Sequence, residues 1–189
     1  MDGTDLERAH AQFRSVLARV SDDQWELQTP CSEWGVRALV DHVIDGERFA
    51  TLLLEGASTE DAGGAFEAPD PSRDARAAFD EAAMASAAAF AAPGVAERTI
   101  HHPIGDISGA QFVAMRTGDV GIHAWDLARA TGTDETLDPV LVQRIWEFMA
   151  PMAEILPGFG VFGEGASGSL SSDEPLQRRL LDISGRRPD

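Results

Sequence analysis

Asp119 and His123 stand four residues apart in the run GDVGIHAWDLARATG, residues 118–132. On a helix that spacing puts two side chains one turn apart, with about 5–6 Å between their Cβ atoms. A carboxylate and an imidazole placed so can reach one ion together. A third candidate, His42, lies in LVDHVIDGE, three residues after Leu39 and four before Gly46, at the edge of another apolar stripe. A histidine from a facing helix would complete a set of two imidazoles and one carboxylate. Three protein ligands on one side of an ion leave coordination positions open, which is the arrangement of a catalytic rather than a structural metal. The donor types suit Zn²⁺ first, and Fe²⁺, Ni²⁺ or Mn²⁺ as well; the sequence does not choose among them. Asp126, three residues after His123, is placed to orient its ring from behind. Spacing alone also fits a plainer account, in which Asp119 is a helix-edge acid and His123 a core histidine with its hydrogen bonds met.

Positioning these residues requires long helices packed face to face. Leu6, Phe13, Val16, Leu17 and Val20 form a helical stripe over residues 5–20. Pro30 breaks the chain after it, and Ser32 is a candidate N-cap for a second helix over 35–55. Its inward positions are Val36, Leu39, Val40, Val43, Ala50, Leu53 and Leu54. Residues 56–72 are rich in turn formers. Ser72 is a candidate cap for a third, alanine-rich helix to about residue 91, closed by Pro93 and Gly94. Residues 95–111 are partly β-branched and broken by Pro103 and Gly105, which suggests an extended crossover or a brief strand. A fourth helix spans 108–131, with Gly132 to close it, and Pro139 opens a fifth. The remaining tail reads as irregular except for a short helix over 175–183. The whole is expected to be one all-α domain over 1–189, a four-helix bundle with a core of about 5–155 and a C-terminal extension, 156–189, that is helical and irregular in turn.

Composition narrows the partners. The 189 residues include 43% apolar ones, enough for one sizeable core. All 15 cations are arginines against 32 acids, a formal charge of −17. So acidic a chain lacks the clustered cations that a nucleic-acid backbone or an anionic membrane surface demands. No stretch approaches the roughly 18 apolar residues of a membrane span, and the start MDGTDLERAH has no signal-peptide pattern. A soluble, cytoplasmic protein is expected. Cys31 is the single cysteine, so any metal falls to His, Asp and Glu. Cys31 precedes a helix start, where the dipole favours a thiolate nucleophile, although packing or capping is the plainer role. His101 and His102 could add a ligand or move a proton, or be loop histidines. His10 reads as a surface residue, and Trp34, Trp125 and Trp146 as core anchors. Arg116, one turn before Asp119, faces an anionic substrate or pairs with a neighbouring acid. A homodimer is compatible with this pattern, and nothing in the sequence specifies one.

The segments TPCSEWGVRALVDHVI and GIHAWDLARATG together resemble the actinobacterial group related to mycothiol-dependent maleylpyruvate isomerase, within the DinB (YfiT)-like metal-binding family. LPGFGVFGEG and PLQRRLLDISGRRPD resemble the ending of that group. The resemblance implies a DinB-like four-helix bundle with a C-terminal addition and one divalent ion. The family's first histidine corresponds to His42, and its Glu-x-x-x-His motif to Asp119 and His123. Here the chain departs from the pattern, because Asp119 is one methylene shorter than the usual Glu. The ion must then sit nearer the fourth helix or be met through a water. The activity implied is that of a thiol-dependent transferase or isomerase, with mycothiol as the thiol and a small electrophile as its partner. The competing reading is a non-catalytic metal-binding or protein-interaction module. An ion open to a solvent-connected space would favour the enzyme.

Overall fold

The computed structural model describes residues 1–66, 72–159 and 164–188. It divides into two compact units, Met1–Thr136 and Leu137–Asp189. The first contains five α-helices: α1 (Gly3–Leu17), α2 (Val36–Glu55), the short α3 (Thr59–Gly63), α4 (Ala75–Phe90) and α5 (Gly109–Thr131). The four long ones form a closed ring of contacts, α1 against α4 and α5, and α2 against the same two. Their apolar stripes meet inside, where Phe13, Leu39, Ile44, Phe79, Val120 and Leu127 are fully buried. α1 and α2 each turn an apolar stripe to the core, whereas α5 is buried on all sides over residues 120–128.

Local chemistry sets the ends. Asp2 caps α1, accepting from the Thr4 N–H at 2.9 Å, while Asp5 accepts from the Asp2 N–H at 3.1 Å. Ser108 and Gln111 make the same reciprocal box at the start of α5, and Gly132 closes that helix with φ 66°. Two expected caps lie elsewhere. α2 begins at Gly35 with no side-chain cap, because Ser32 is exposed within a tight loop three residues earlier. α4 is capped by Asp74 rather than Ser72, its carboxylate accepting from the N–H groups of Arg76 and Ala77. The crossover is a hairpin of β1 (Thr99–His102) and β2 (Gly105–Ser108), antiparallel with Ile100 opposite Ile107. Of the turn-rich loop, residues 67–71 lie outside the described residues, as do residues 160–163 of the LPGFGVFGEG run.

The loop between α1 and α2 is held by its own hydrogen bonds. The Thr29 hydroxyl donates to the Trp34 carbonyl at 2.8 Å and accepts from the Cys31 N–H at 3.1 Å. The Gln28 amide donates to the carbonyls of Ser32 and Trp34, both at 3.0 Å. The Val36 N–H bonds back to Leu27 at 2.9 Å. These bonds fix Cys31 and Trp34 although the loop has no regular structure of its own.

In the second unit α6 (Pro139–Met149) packs on α7 (Leu176–Ile183). Asp138 caps α6. The Arg179 guanidinium lies 4.5 Å from the centre of the Trp146 ring, so this tryptophan carries a cation on its face. No helix among the described residues is long and apolar enough to cross a membrane.

The fully buried Phe13 of α1 meets Phe79 of α4 at 4.9 Å between ring centres. Phe13→Ala is expected to lower the unfolding free energy by about 3–5 kcal/mol, measured by chemical denaturation.

Candidate metal centre

The ring of helices brings His42 of α2 opposite Asp119 and His123 of α5. Asp119 Oδ1 lies 3.5 Å from His42 Nε2 and 3.5 Å from His123 Nε2. One donor atom from each of the three residues lies within 4.8 Å of the other two. A separation of 3.5 Å is too long for a good N–H···O hydrogen bond. It is close to the edge of a coordination tetrahedron, since ligand atoms bound at about 2.1 Å stand about 3.4 Å apart. The two imidazoles meet nearly edge to face, with ring centres 5.2 Å apart and planes at 79°. The donor set and its spacing thus fit a divalent ion, held by two neutral imidazoles and one carboxylate oxygen.

The surroundings orient each donor. His123 Nδ1 is 2.9 Å from Asp126 Oδ2, a normal hydrogen-bond length, and Asp126 is fully buried. This bond turns Nε2 of the same ring toward Asp119. The Cys31 thiol donates to the same Asp126 oxygen at 3.4 Å. Cys31, His123 and Asp126 therefore form a second close group of possible ligands. The two groups differ in kind. Around Nδ1 the contact is a hydrogen bond, whereas around Nε2 the atoms stand at ligand-to-ligand spacing. Cys31 is held as part of the support behind His123.

On the other side, Trp34 packs on His42 with ring centres 4.4 Å apart and reaches His123 at 5.7 Å. Phe66 meets His42 from a second direction at 6.0 Å. Trp34 is thus a wall of the site and Trp125 a core anchor, 2% exposed. Sequence periodicity separates them poorly, because Trp34 sits in a loop whose course only its hydrogen bonds determine.

Arg116 is buried, and its Nη1 donates to Asp119 Oδ2 at 3.0 Å. Its Nε and Nη2 donate to Glu47 Oε1 at 3.1 and 2.8 Å. Of its two expected roles, the structure places it in the ion-pair one. His10 is a correction to the expectation of a surface residue. It is 3% exposed, with Nε2 3.2 Å from Glu47 Oε2. An acid buried on α2 demands a partner from α1, and helical periodicity around His10 does not reveal it. His101 is exposed and pairs with Asp106 at 2.7 Å. His102 is half-buried between the rings of Phe49 and Phe112, where burial and then the Arg116 charge lower its pKa. Neither contributes a donor atom to the two clusters of possible ligands.

Electrostatics follow from this packing. Burial opposes the charge on Asp119, but Arg116, His123 and His42 outweigh it and hold the carboxyl well below the ordinary range. Burial likewise opposes an imidazolium at His123; Asp119, Asp126 and Cys31 overcome it and hold its pKa well above the usual imidazole value. Without an ion, a proton on His123 takes the place of a cation beside Asp119.

Residues 6–128 match the family model described as the mycothiol maleylpyruvate isomerase N-terminal domain. Two uncharacterized proteins of Mycobacterium tuberculosis, from strains CDC 1551 / Oshkosh and ATCC 25618 / H37Rv, are each 39% identical over 178 residues. In each case the match covers 91% of this chain and 87% of the relative. Among solved structures, the crystal structure of the mycothiol-dependent maleylpyruvate isomerase and that of a mutant form superpose with TM-scores of 0.63 at 15% identity. Those matches cover 89% of this chain and 71% of theirs, and they place the helical architecture in the same fold.

In chelator-treated protein, the raised pKa of His123 stabilises the fold fully below its unfolded value of about 6.5, and the contribution disappears as pH rises through the folded value. An NMR titration of the ring should place His123 well above an ordinary histidine, and Asp119→Asn should bring it down.

Proposed function

The chain belongs to the mycothiol maleylpyruvate isomerase N-terminal domain family, and from that premise we propose that it is a divalent-metal-dependent enzyme that uses a small thiol, mycothiol, against an electrophilic substrate. His42, Asp119 and His123 are the proposed ligands, with Zn²⁺ the first choice of ion and Fe²⁺, Ni²⁺ or Mn²⁺ accommodated by the same donors. The observation that carries this reading is the position of one carboxylate oxygen, Asp119 Oδ1, 3.5 Å from both imidazole Nε2 atoms. A bound divalent ion supplies one thing here, the lowering of a thiol pKa so that the nucleophilic thiolate forms at neutral pH.

The chain's own residues do the rest. Asp126 fixes the His123 ring and its tautomer, and Trp34 and Phe66 pack apolar rings against part of His42. The side chains of His42 and Asp119 remain 24% and 29% exposed, which favours an open site over a closed structural one. That openness supports the enzyme over the non-catalytic binding module. A thiolate in this site would add to an electrophilic double bond, then either leave, giving isomerisation, or stay, giving S-transfer. S-transfer is the favoured outcome. Arg116, the cation that touches the site, is committed to Glu47 and Asp119 rather than offered to a dicarboxylate substrate.

Elemental analysis of protein purified from metal-replete cells should find about one divalent ion per chain. His123→Ala and Asp119→Ala should each lose the ion together with thiol-dependent consumption of an α,β-unsaturated acceptor. Stoichiometric metal retained in both variants would contradict the ligand assignment.

A further inference from the structure

Glu47 is the most deeply buried acid of α2, with no exposed surface, and it touches none of the three proposed ligands except through Arg116. A carboxylate there must be held by partners, because desolvation otherwise favours its neutral form. The partners come from every other long helix. His10 approaches from α1 at 3.2 Å, the Ser86 hydroxyl donates from α4, and Arg116 donates two N–H groups from α5. Arg116 then spends its third nitrogen on Asp119 Oδ2, at 3.0 Å. A guanidinium is planar and rigid, so fixing two of its nitrogens on Glu47 also fixes where the third points.

The residue before Glu47 shows that α2 is shaped for this. A Cβ on Gly46 would stand 2.6 to 2.8 Å from three atoms of the Arg116 guanidinium. Glycine inside a helix is unfavourable relative to alanine, yet here its missing side chain is the space through which Arg116 crosses to Glu47. Asp119 itself is partly exposed and on its own could turn toward water.

We propose that Glu47, acting through Arg116, is a positioning residue for Asp119, committing Oδ2 so that Oδ1 alone faces His42 and His123. This rests on reading those three residues as a metal centre. The pair makes Asp119 a one-oxygen ligand of set direction, because the Arg116 bond to Oδ2 holds the carboxylate at one orientation. Removing the hydrogen-bonding partner behind a metal ligand typically weakens binding about 10- to 100-fold.

The test titrates Co²⁺ into metal-free wild type, Glu47→Gln and Gly46→Ala, reading the visible absorption bands, with circular dichroism to establish folding. Wild type should bind one Co²⁺ with the intense bands of a low-coordinate site. Glu47→Gln keeps the shape and removes the charge; it should bind about 10- to 100-fold more weakly, with altered bands. Gly46→Ala crowds the guanidinium without changing any ionisable group and should shift the bands in the same sense. A folded Glu47→Gln protein with wild-type affinity and bands overturns the positioning role while leaving the metal centre standing. Where Glu47→Gln does not fold, Gly46→Ala decides on the same terms. Failure of wild type itself to bind Co²⁺ overturns both.

Discussion

A carboxylate set between packed helices stays ionised only if positive or hydrogen-bonding groups surround it, and in this bundle that constraint runs from the fully buried Glu47 through Arg116 to Asp119. Arg116 takes one of its oxygens, and two imidazoles stand at equal distances from the other. Around it, α2 supplies His42 and the Glu47 anchor, α5 supplies Arg116, His123 and Asp126, and the loop before α2 supplies Trp34 and Cys31. The apolar stripes bring α2 and α5 together, but the polar groups settle which residues may face each other. Stability and chemistry therefore meet in the same few side chains.

The protonation pattern carries the same message. In the ion-free state His123 holds a proton because Asp119 and Asp126 outweigh the cost of burial. A divalent ion at the proposed site would take the place of that proton, so its uptake would be coupled to proton release. Family membership favours a thiol acting on a small molecule as the chemistry of such a site. Arg116, which touches this site, is committed to Glu47 and Asp119 within the protein.

Much of this was legible in the sequence, for identifiable reasons. Helix spacing at 119 and 123 has only one geometric outcome, so their shared face could be read directly, and the stripe of α2 placed His42 on the matching edge. The bundle followed from the same periodicity; the break at Pro103 and Gly105 suggested only an extended crossover or a brief strand, and the pairing of β1 with β2 emerges from the structure. The caps at Gly35 and Asp74 were not legible, because several residues near each helix start have suitable side chains and only the loop's course selects among them. His10 and Glu47 escaped because a buried polar contact between two helices is a tertiary fact. Each residue alone has the local pattern of a helix surface. Gly46 was the available signal, a glycine inside a long helix with no turn to make, and its meaning appears only once the Arg116 guanidinium is seen in the space it leaves.

The proposed chemistry requires that the Nε2 side of His123 hold an open metal site that accepts a thiol. X-ray absorption spectroscopy of the zinc-loaded protein, with and without added thiol, tests this most directly. Such a site predicts nitrogen and oxygen scatterers alone at about 2.0–2.1 Å without thiol, and one new sulfur at about 2.3 Å when thiol is added. A sulfur scatterer already present without thiol would place the ion on Cys31 instead, and an unchanged shell after thiol addition would contradict the proposed chemistry.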